Sequence, residues 1–267
     1  MTPRCPRKAA FVLAATDQGT LIVNRFDYRM LDEQAGIGVG FNLLDNSAYD
    51  PQEVGVALAM LDLAKIFRGP GVVAVDCGAN IGVHTVEWAR AMTGWGAVTA
   101  FEAQERVYYA LAGNLALNNC FNASARHAAV GAACGTLRVP VPDYQRPGSF
   151  GSLELRPRPD NEFIGQAIDY SPAATVEVPV VSLDSMPWPR LDFIKIDVEG
   201  MELEVLEGAR QALARWRPML IVEALKGDKA RLQPWLEAQG YKVWAMGPNY
   251  VAVHATDPAA EQIRPGG

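Results

Sequence analysis

"VVAVDCGANIGVHT", residues 72–85, decides how the rest of the chain is read. Apolar residues run into Asp76. Gly78 and Gly82 then bracket Ala79, Asn80 and Ile81 before a helix-like run begins. A continuous apolar run bounded by glycine reads as a strand buried on both faces. The glycines supply a tight strand-to-helix turn, and the N–H groups at the helix N-terminus attract a negative group such as a carboxylate. The dinucleotide fingerprint G-x-G-x-x-G is not met, and no Gly-Lys-Ser/Thr follows for a P-loop.

The pattern repeats downstream. "AVTAFE" (97–102), "ARHAAVG" (125–131), "LDFIKID" (191–197) and "MLIVEAL" (219–225) read as further strands. Residues 81–93, 104–119, 200–216 and 228–240 read as helices between them. Such alternation predicts a mostly parallel, doubly wound α/β sheet covered on both faces. "YKVWAMG" and "NYVAVHAT" close the chain as a hairpin turning at Pro248-Asn249, which predicts an antiparallel C-terminal edge. Residues 1–70 form an N-terminal extension and residues 71–267 the ligand-binding domain. In the extension, "FVLAATDQGTLIVNRF" reads as a hairpin turning at Asp17 to Thr20. "DPQEVGVALAMLDLAKIF" reads as a helix, with Asp50 as N-cap, Pro51 at the first position and Glu53 completing a capping box. Residues 136–183 interrupt the domain as a long insertion with three short strands, "TLRVPV", "GSLEL" and "TVEVPVVSL".

Composition narrows the function. The 267 residues are 49% hydrophobic and 20% charged, with net charge −6, enough for one substantial core. No basic stripe marks a nucleic-acid partner. No apolar run approaches the roughly 18 residues of a membrane span. Arg4, Arg7 and Lys8 before a short apolar run mimic a secretory signal, but an alternating strand fits that run as well. Cys5, Cys77, Cys120 and Cys134 lack metal-ligand spacing, so free, mostly buried thiols in a reduced, cytoplasmic setting are expected.

Ligands of a doubly wound sheet sit beyond the carboxyl ends of its strands. Here those ends carry Asp76, Glu102, Asp197 and Glu223. Any one of them reads plainly as a helix cap; four together do not. Glu102 at the end of the second strand suits a ribose diol. A pyrophosphate is repelled by Asp76 and Asp197, whereas a ligand bearing an ammonium and a sulfonium is welcomed. S-adenosylmethionine meets all these demands as cofactor.

"VDCGANIGVHT", "AFEAQ", "VEVPVVSLDSM" and "DFIKIDVEGMELEVLEGA" resemble the FkbM-type family of S-adenosylmethionine-dependent methyltransferases, over roughly residues 45–225. "IKIDVEGMELEVLEGA" is the most specific part. The resemblance implies a Rossmann-like class I methyltransferase fold and O-methylation of a hydroxyl on a sugar, glycan or secondary metabolite. The family usually has Val-Gly where this chain has Cys77-Gly78. By position, Asp76, Gly78, Ala79, Asn80, Gly82, Thr85, Glu102 and Ala103 would contact the cofactor. Tyr49 and Glu53 match a segment that would fold over its methionine end. Asn118 is a further candidate, with a helix C-cap as its plainer reading. Two other functions stand beside this one: a nucleotide- or NAD-binding oxidoreductase on a similar sheet, and a cofactor-binding protein without activity.

Methylating a hydroxyl requires something to accept its proton or stabilise the alkoxide. Asp197 and Glu223 end adjacent strands, so one is expected as the base, or both as holders of a divalent cation. Magnesium needs many oxygen ligands, and Ala224 and Leu225 after Glu223 supply no side-chain oxygen, which favours a metal-free site. If Asp197 binds the cofactor's ammonium group, Glu199, Glu223 or His254 is left as base. Residues 1 to about 60 of the extension and 140–175 of the insertion are expected to wall the acceptor pocket, with Tyr49, Tyr144, Phe150 and Tyr170 as candidates for its lining.

Overall fold

The computed structural model describes residues 8–33, 35–226 and 229–263. Cys5, Arg4 and Arg7 lie outside them. The chain begins with a hairpin of β1 (Phe11–Thr16) and β2 (Gly19–Asn24). Thr16 pairs with Gly19, so Asp17 and Gln18 form the two-residue turn. A two-stranded piece, β3 (Arg29–Met30) and β4 (Gly36–Ile37), leads to α1 (Val39–Asn46) and α2 (Pro51–Arg68). The Asp50 side chain accepts the Glu53 N–H at 3.2 Å and so caps α2. The reciprocal half of the expected capping box is absent, because the Glu53 carboxylate turns inward to Asn249.

The strand-helix alternation follows as β5 (Val72–Cys77), α3 (Val83–Ala91), β6 (Gly96–Glu102), α4 (Glu105–Leu117), β7 (Ala123–His127) and β8 (Ala129–Val130). The insertion contributes β9 (Gly135–Pro140) and β10 (Thr175–Val181). The chain then runs through β11 (Phe193–Ile196), α5 (Glu202–Glu207), α6 (Arg210–Trp216), β12 (Met219–Glu223), α7 (Lys229–Ala238), β13 (Tyr241–Met246) and β14 (Asn249–His254). The main sheet has the order β13-β14-β12-β11-β5-β6-β7. Only β14 runs against its neighbours. This is the Rossmann-like class I methyltransferase arrangement. The hairpin does not simply add an antiparallel edge: β14 inserts between β12 and β13, and turns at Gly247-Pro248.

Burial explains the strand patterns. The central strands β5, β11 and β12 are buried along almost their whole length, whereas the edge strand β7 alternates. One face packs Ala57, Met60, Leu61, Trp88 and Phe193 under α2 and α3. The other packs Ile194, Ile196, Val205, Leu206 and Leu236 under α5 and α7. Leu21, Val23 and Leu43 join the first of these cores, so residues 8–70 share it with the sheet.

Two further expectations change. Residues 200–216 form two helices rather than one, parting at Gly208 and Ala209; Gly208 packs on the Gly131 carbonyl, where a Cβ would overlap it. Asp184 then caps α6, accepting N–H groups from Gln211 at 3.0 Å and Ala212 at 2.8 Å. "GSLEL" is not a strand but a 3-10 turn at Phe150–Ser152 that buries Leu153 and Leu155. β8, β9 and β10 instead make a small separate sheet.

Asp27 fastens the extension to the insertion. Its carboxylate accepts N–H groups from Gly40 at 3.0 Å and Phe150 at 2.9 Å. Burial raises its pKa to about 6 against the lowering effect of those two donors. Asp27→Ala strands both buried donors and is expected to cost about 2–3 kcal/mol, read from urea unfolding. A loss under about 0.5 kcal/mol would mean that the two segments are held elsewhere.

Candidate active site

A cavity of about 330 Å³ opens at the carboxyl ends of β5, β6, β11 and β12. Asp76, Gly78, Ala79, Asn80, Glu102, Ala103, Asp197, Glu199 and Glu223 all line it, as does Tyr49 from the extension. Gln18, at the hairpin turn, holds the Tyr49 backbone by accepting its N–H at 2.9 Å and donating to its carbonyl at 2.6 Å. Ser149, Gly151, Ser152, Leu153 and Leu155 bring the insertion to the same cavity. Both predicted wall segments therefore meet there.

The glycine turn is built around close approach. Gly78 has φ +81, and a Cβ there would overlap the Asp197 carbonyl oxygen. Asn80 has φ 51 and donates its N–H to Glu102 Oε2 at 2.9 Å. Gln104 N–H reaches Glu102 Oε1 at 2.7 Å. Burial raises the Glu102 pKa to about 7, against these backbone donors. The Ala103 N–H also bears on this carboxylate, whose roughly four lone-pair sites still leave acceptor capacity.

Deeper in, a charged cluster sits beneath the cavity. Lys195 is buried and donates to Asp197 Oδ2 at 2.6 Å, with Glu53 Oε1 at 3.7 Å. Burial alone would lower the Lys195 pKa, but Asp197, Glu53 and Asp76 outweigh it and keep the ammonium charged. Asp76 Oδ2 accepts the Thr85 hydroxyl at 2.6 Å, while its Oδ1 has no hydrogen-bond partner. Glu53 Oε1 has none either. His84 stands 3.6 Å from that oxygen, edge-on to Trp88. Burial, aided by Lys195, pushes its pKa well down, so the imidazole is neutral.

At the other end, Asp197, Glu199 and Glu223 bring one oxygen each to within 4.8 Å of one another. Register explains it: Ile196 pairs with Val222, so the next residues, Asp197 and Glu223, stand side by side. Asp197 has Lys195, and Glu199 has Lys226 at 2.5 Å. Glu223 has no cationic partner among the described residues, and its Oε2 is buried without a hydrogen bond. Burial, then Asp197, Glu199 and Glu202, push the Glu223 pKa up to about 10. Burial and Asp197 likewise raise Glu199 to about 8.

These features fit the expected cofactor. Buried carboxylate oxygens of Asp76 and Glu53 that make no hydrogen bond suit a cationic ligand. Glu102 has acceptor capacity for a diol, and the glycine turn leaves room for a ligand against the backbone.

Several predicted residues have other places. Thr85 is fully buried behind Asp76 and orients it rather than lining the cavity. Gly82 is the left-handed N-cap of α3, where a Cβ would crowd Leu111. Asn118 caps α4 and donates to the Thr20 and Asn114 carbonyls, outside the cavity. His254 bonds Thr256 and packs on Tyr241; because β14 is antiparallel, its end lies at the opposite edge of the sheet. The same reversal brings the start of β14 to the site. There buried Asn249 donates to Glu53 Oε2 at 2.6 Å, a residue that the sequence reading missed. Of the predicted aromatic lining, Tyr144 bonds Gln104, Phe150 is buried in packing, and Tyr170 bonds the Glu154 carbonyl. Cys77 and Cys120 are buried and free, while Cys134 is exposed. No helix among the described residues is long and apolar enough to cross a membrane.

Comparison with known proteins adds the family. The model of the methyltransferase FkbM domain matches residues 76–243. Methyltransferase sdnD of Sordaria araneosa is 28% identical over 207 residues, 68% of this chain and 77% of that protein. Methyltransferase FkbM from Methylobacillus flagellatus KT superposes with a TM-score of 0.48 at 20% identity, covering 69% of this chain. The match spans 44% of that structure's chain. An O-methyltransferase from Bacillus cereus, solved with SAH, has a TM-score of 0.44 at 14% identity and covers 78% of this chain and 82% of its own. The oxidoreductase alternative is not favoured, since the matched family is one of methyltransferases.

Proposed function

The chain belongs to the FkbM methyltransferase family, and we propose that it moves the methyl group of S-adenosylmethionine to a hydroxyl oxygen of a sugar, glycan or secondary metabolite. When bound, the cofactor supplies an electrophilic methyl group on a sulfonium. Glu102 holds the ribose hydroxyls, the turn at Gly78, Ala79 and Asn80 receives the backbone-facing side, and Asp76, Glu53 and Tyr49 enclose the methionine end. Ala103 adds contact beside Glu102.

The observation that carries the acceptor chemistry is the carboxylate trio. Asp197 and Glu199 each have a lysine, and Glu223 has none. Glu223, once ionised, is therefore the group left to take the acceptor's proton, and Asp197 positions the reactants beside Lys195. Confining both reactants in the cavity supplies much of the rest of the rate. The trio's geometry also favours a second reading, in which it holds a divalent cation. Lys195 and Lys226 already occupy Asp197 and Glu199, which supports the metal-free reading.

The test is methyl transfer to a panel of sugars, glycolipids and small hydroxylated metabolites, with and without EDTA. Turnover that survives chelation is expected. Activity that vanishes with EDTA and returns with magnesium overturns the metal-free reading, and N- or C-methylated products overturn the hydroxyl acceptor. For the cofactor, Glu102→Ala is expected to weaken SAH binding by about 1.5–3 kcal/mol in calorimetry. An unchanged dissociation constant in the folded variant removes Glu102 from the ribose.

A further inference from the structure

Lys226, in the loop leaving β12, is the one ammonium among the described residues that touches both the insertion and the carboxylate trio. Its Nζ donates to the Ser152 carbonyl at 2.9 Å and lies 3.0 Å from Glu162 Oε2 and 2.5 Å from Glu199 Oε2. Its side chain is only 14% exposed, so these contacts take most of its surroundings. Burial alone would depress the ammonium; Glu199 and Glu162 outweigh that and hold it charged.

The contacts join distant parts of the chain. Ser152 and Glu199 both line the cavity. The other oxygen of Glu162 is 2.5 Å from Arg29 of the extension, and the Glu162 N–H donates to Glu154 at 2.8 Å. Glu199 has φ 55, a left-handed backbone that a non-glycine residue keeps only where its surroundings hold it. Around its carboxylate stand Asp197, Glu202 and Glu223, all acidic, and Lys226 is the cation in contact with it. Arg158 and Arg156 also fasten the insertion, to the Gly200 carbonyl and to Glu204, but at residues 156–158 and without touching the trio.

We propose that Lys226 is a positioning residue for the methyl acceptor: one ammonium holds the insertion over the cavity and fixes the Glu199 carboxylate beside Asp197 and Glu223. This rests on the reading of the cavity as a methyl-transfer site. The two roles separate by mutation. Glu162→Gln weakens the hold on the insertion and leaves the Lys226–Glu199 pair. Lys226→Met removes both, and Lys226→Arg keeps the charge.

The primary measurement is hydrogen–deuterium exchange by mass spectrometry on the full chain with SAH bound, which needs no acceptor. Amides of residues 149–164, among them the Ser149 N–H bonded to the Ile164 carbonyl, are expected to exchange at least fivefold faster in Lys226→Met and in Glu162→Gln. They should stay near the wild-type rate in Lys226→Arg, with β5 and β11 unchanged and SAH affinity within threefold in all variants. For the panel acceptor with the highest turnover, KM is expected to rise at least tenfold in Lys226→Met, with kcat also lower. Glu162→Gln should raise KM and leave kcat within twofold. Unchanged protection of 149–164 in Lys226→Met overturns the proposal, as does protection lost equally across the sheet. A kcat loss in Glu162→Gln equal to that of Lys226→Met overturns the role at Glu199. If no panel member is methylated, the function reading fails while the exchange result still decides the clamp.

Discussion

Gly78→Ala is expected to remove cofactor binding and to destabilise the fold by about 4 kcal/mol. Two causes add. The residue sits at φ +81, where any side chain is strained. The new Cβ would also overlap the Asp197 carbonyl oxygen, which is backbone and cannot step aside as a flexible side chain would. β5 and β11 would have to part at their carboxyl ends, the edge that carries Asp76 and Asp197. SAH affinity should fall by at least about 100-fold, since each 1.4 kcal/mol is tenfold. Gly94→Ala is the matched control. It has the same φ of +81 but nothing within 4 Å of a Cβ, so it isolates backbone strain from contact. Urea unfolding and SAH calorimetry on both variants decide the matter. A Gly78→Ala protein as stable as Gly94→Ala, with wild-type affinity, would show that the strand ends do not meet this closely.

Glu223→Gln is expected to lower kcat by about 10²–10⁴-fold, the usual contribution of a general base, with SAH affinity within a few-fold. Its pH dependence follows from burial and acidic neighbours. With Glu223 pushed up to about 10, its carboxyl holds a proton at neutral pH. A base must be ionised, so wild-type kcat/KM should climb as pH rises toward 10. In Glu223→Gln that climb should flatten. Stability runs the other way. Glu223 has a folded value above its unfolded value near about 4.3. Its contribution is therefore complete below that pH and is lost as pH rises through about 10. The melting temperature should fall across that range, and less so in Glu223→Gln. Full activity in Glu223→Gln dismisses Glu223 as the base.

The local signals in this chain were strong where one element decides its own form. The buried run 72–77, the Gly78 turn and the Asp50 cap read directly, because periodicity, glycine and capping chemistry act over a few residues. The strand-end acids read almost as well, since a parallel sheet places every carboxyl end on one edge. Thr85 and Gly82 lie in the right stretch, yet a position in a motif does not say whether a side chain faces a ligand or its neighbour. Thr85 faces Asp76, and Gly82 faces Leu111.

By itself, then, the sequence determined the alternation of strands and helices, the family resemblance and the four acids at the strand ends. Tertiary structure alone decided that His254 lies away from the cavity and Asn249 against Glu53, because the reversed direction of β14 exchanges the two ends of the strand. It decided too that Lys195 also serves Glu53 and Asp76, and that Lys226 joins the insertion to Glu199. Those contacts link residues far apart in the chain, and no local periodicity encodes which distant charge a buried ammonium will meet.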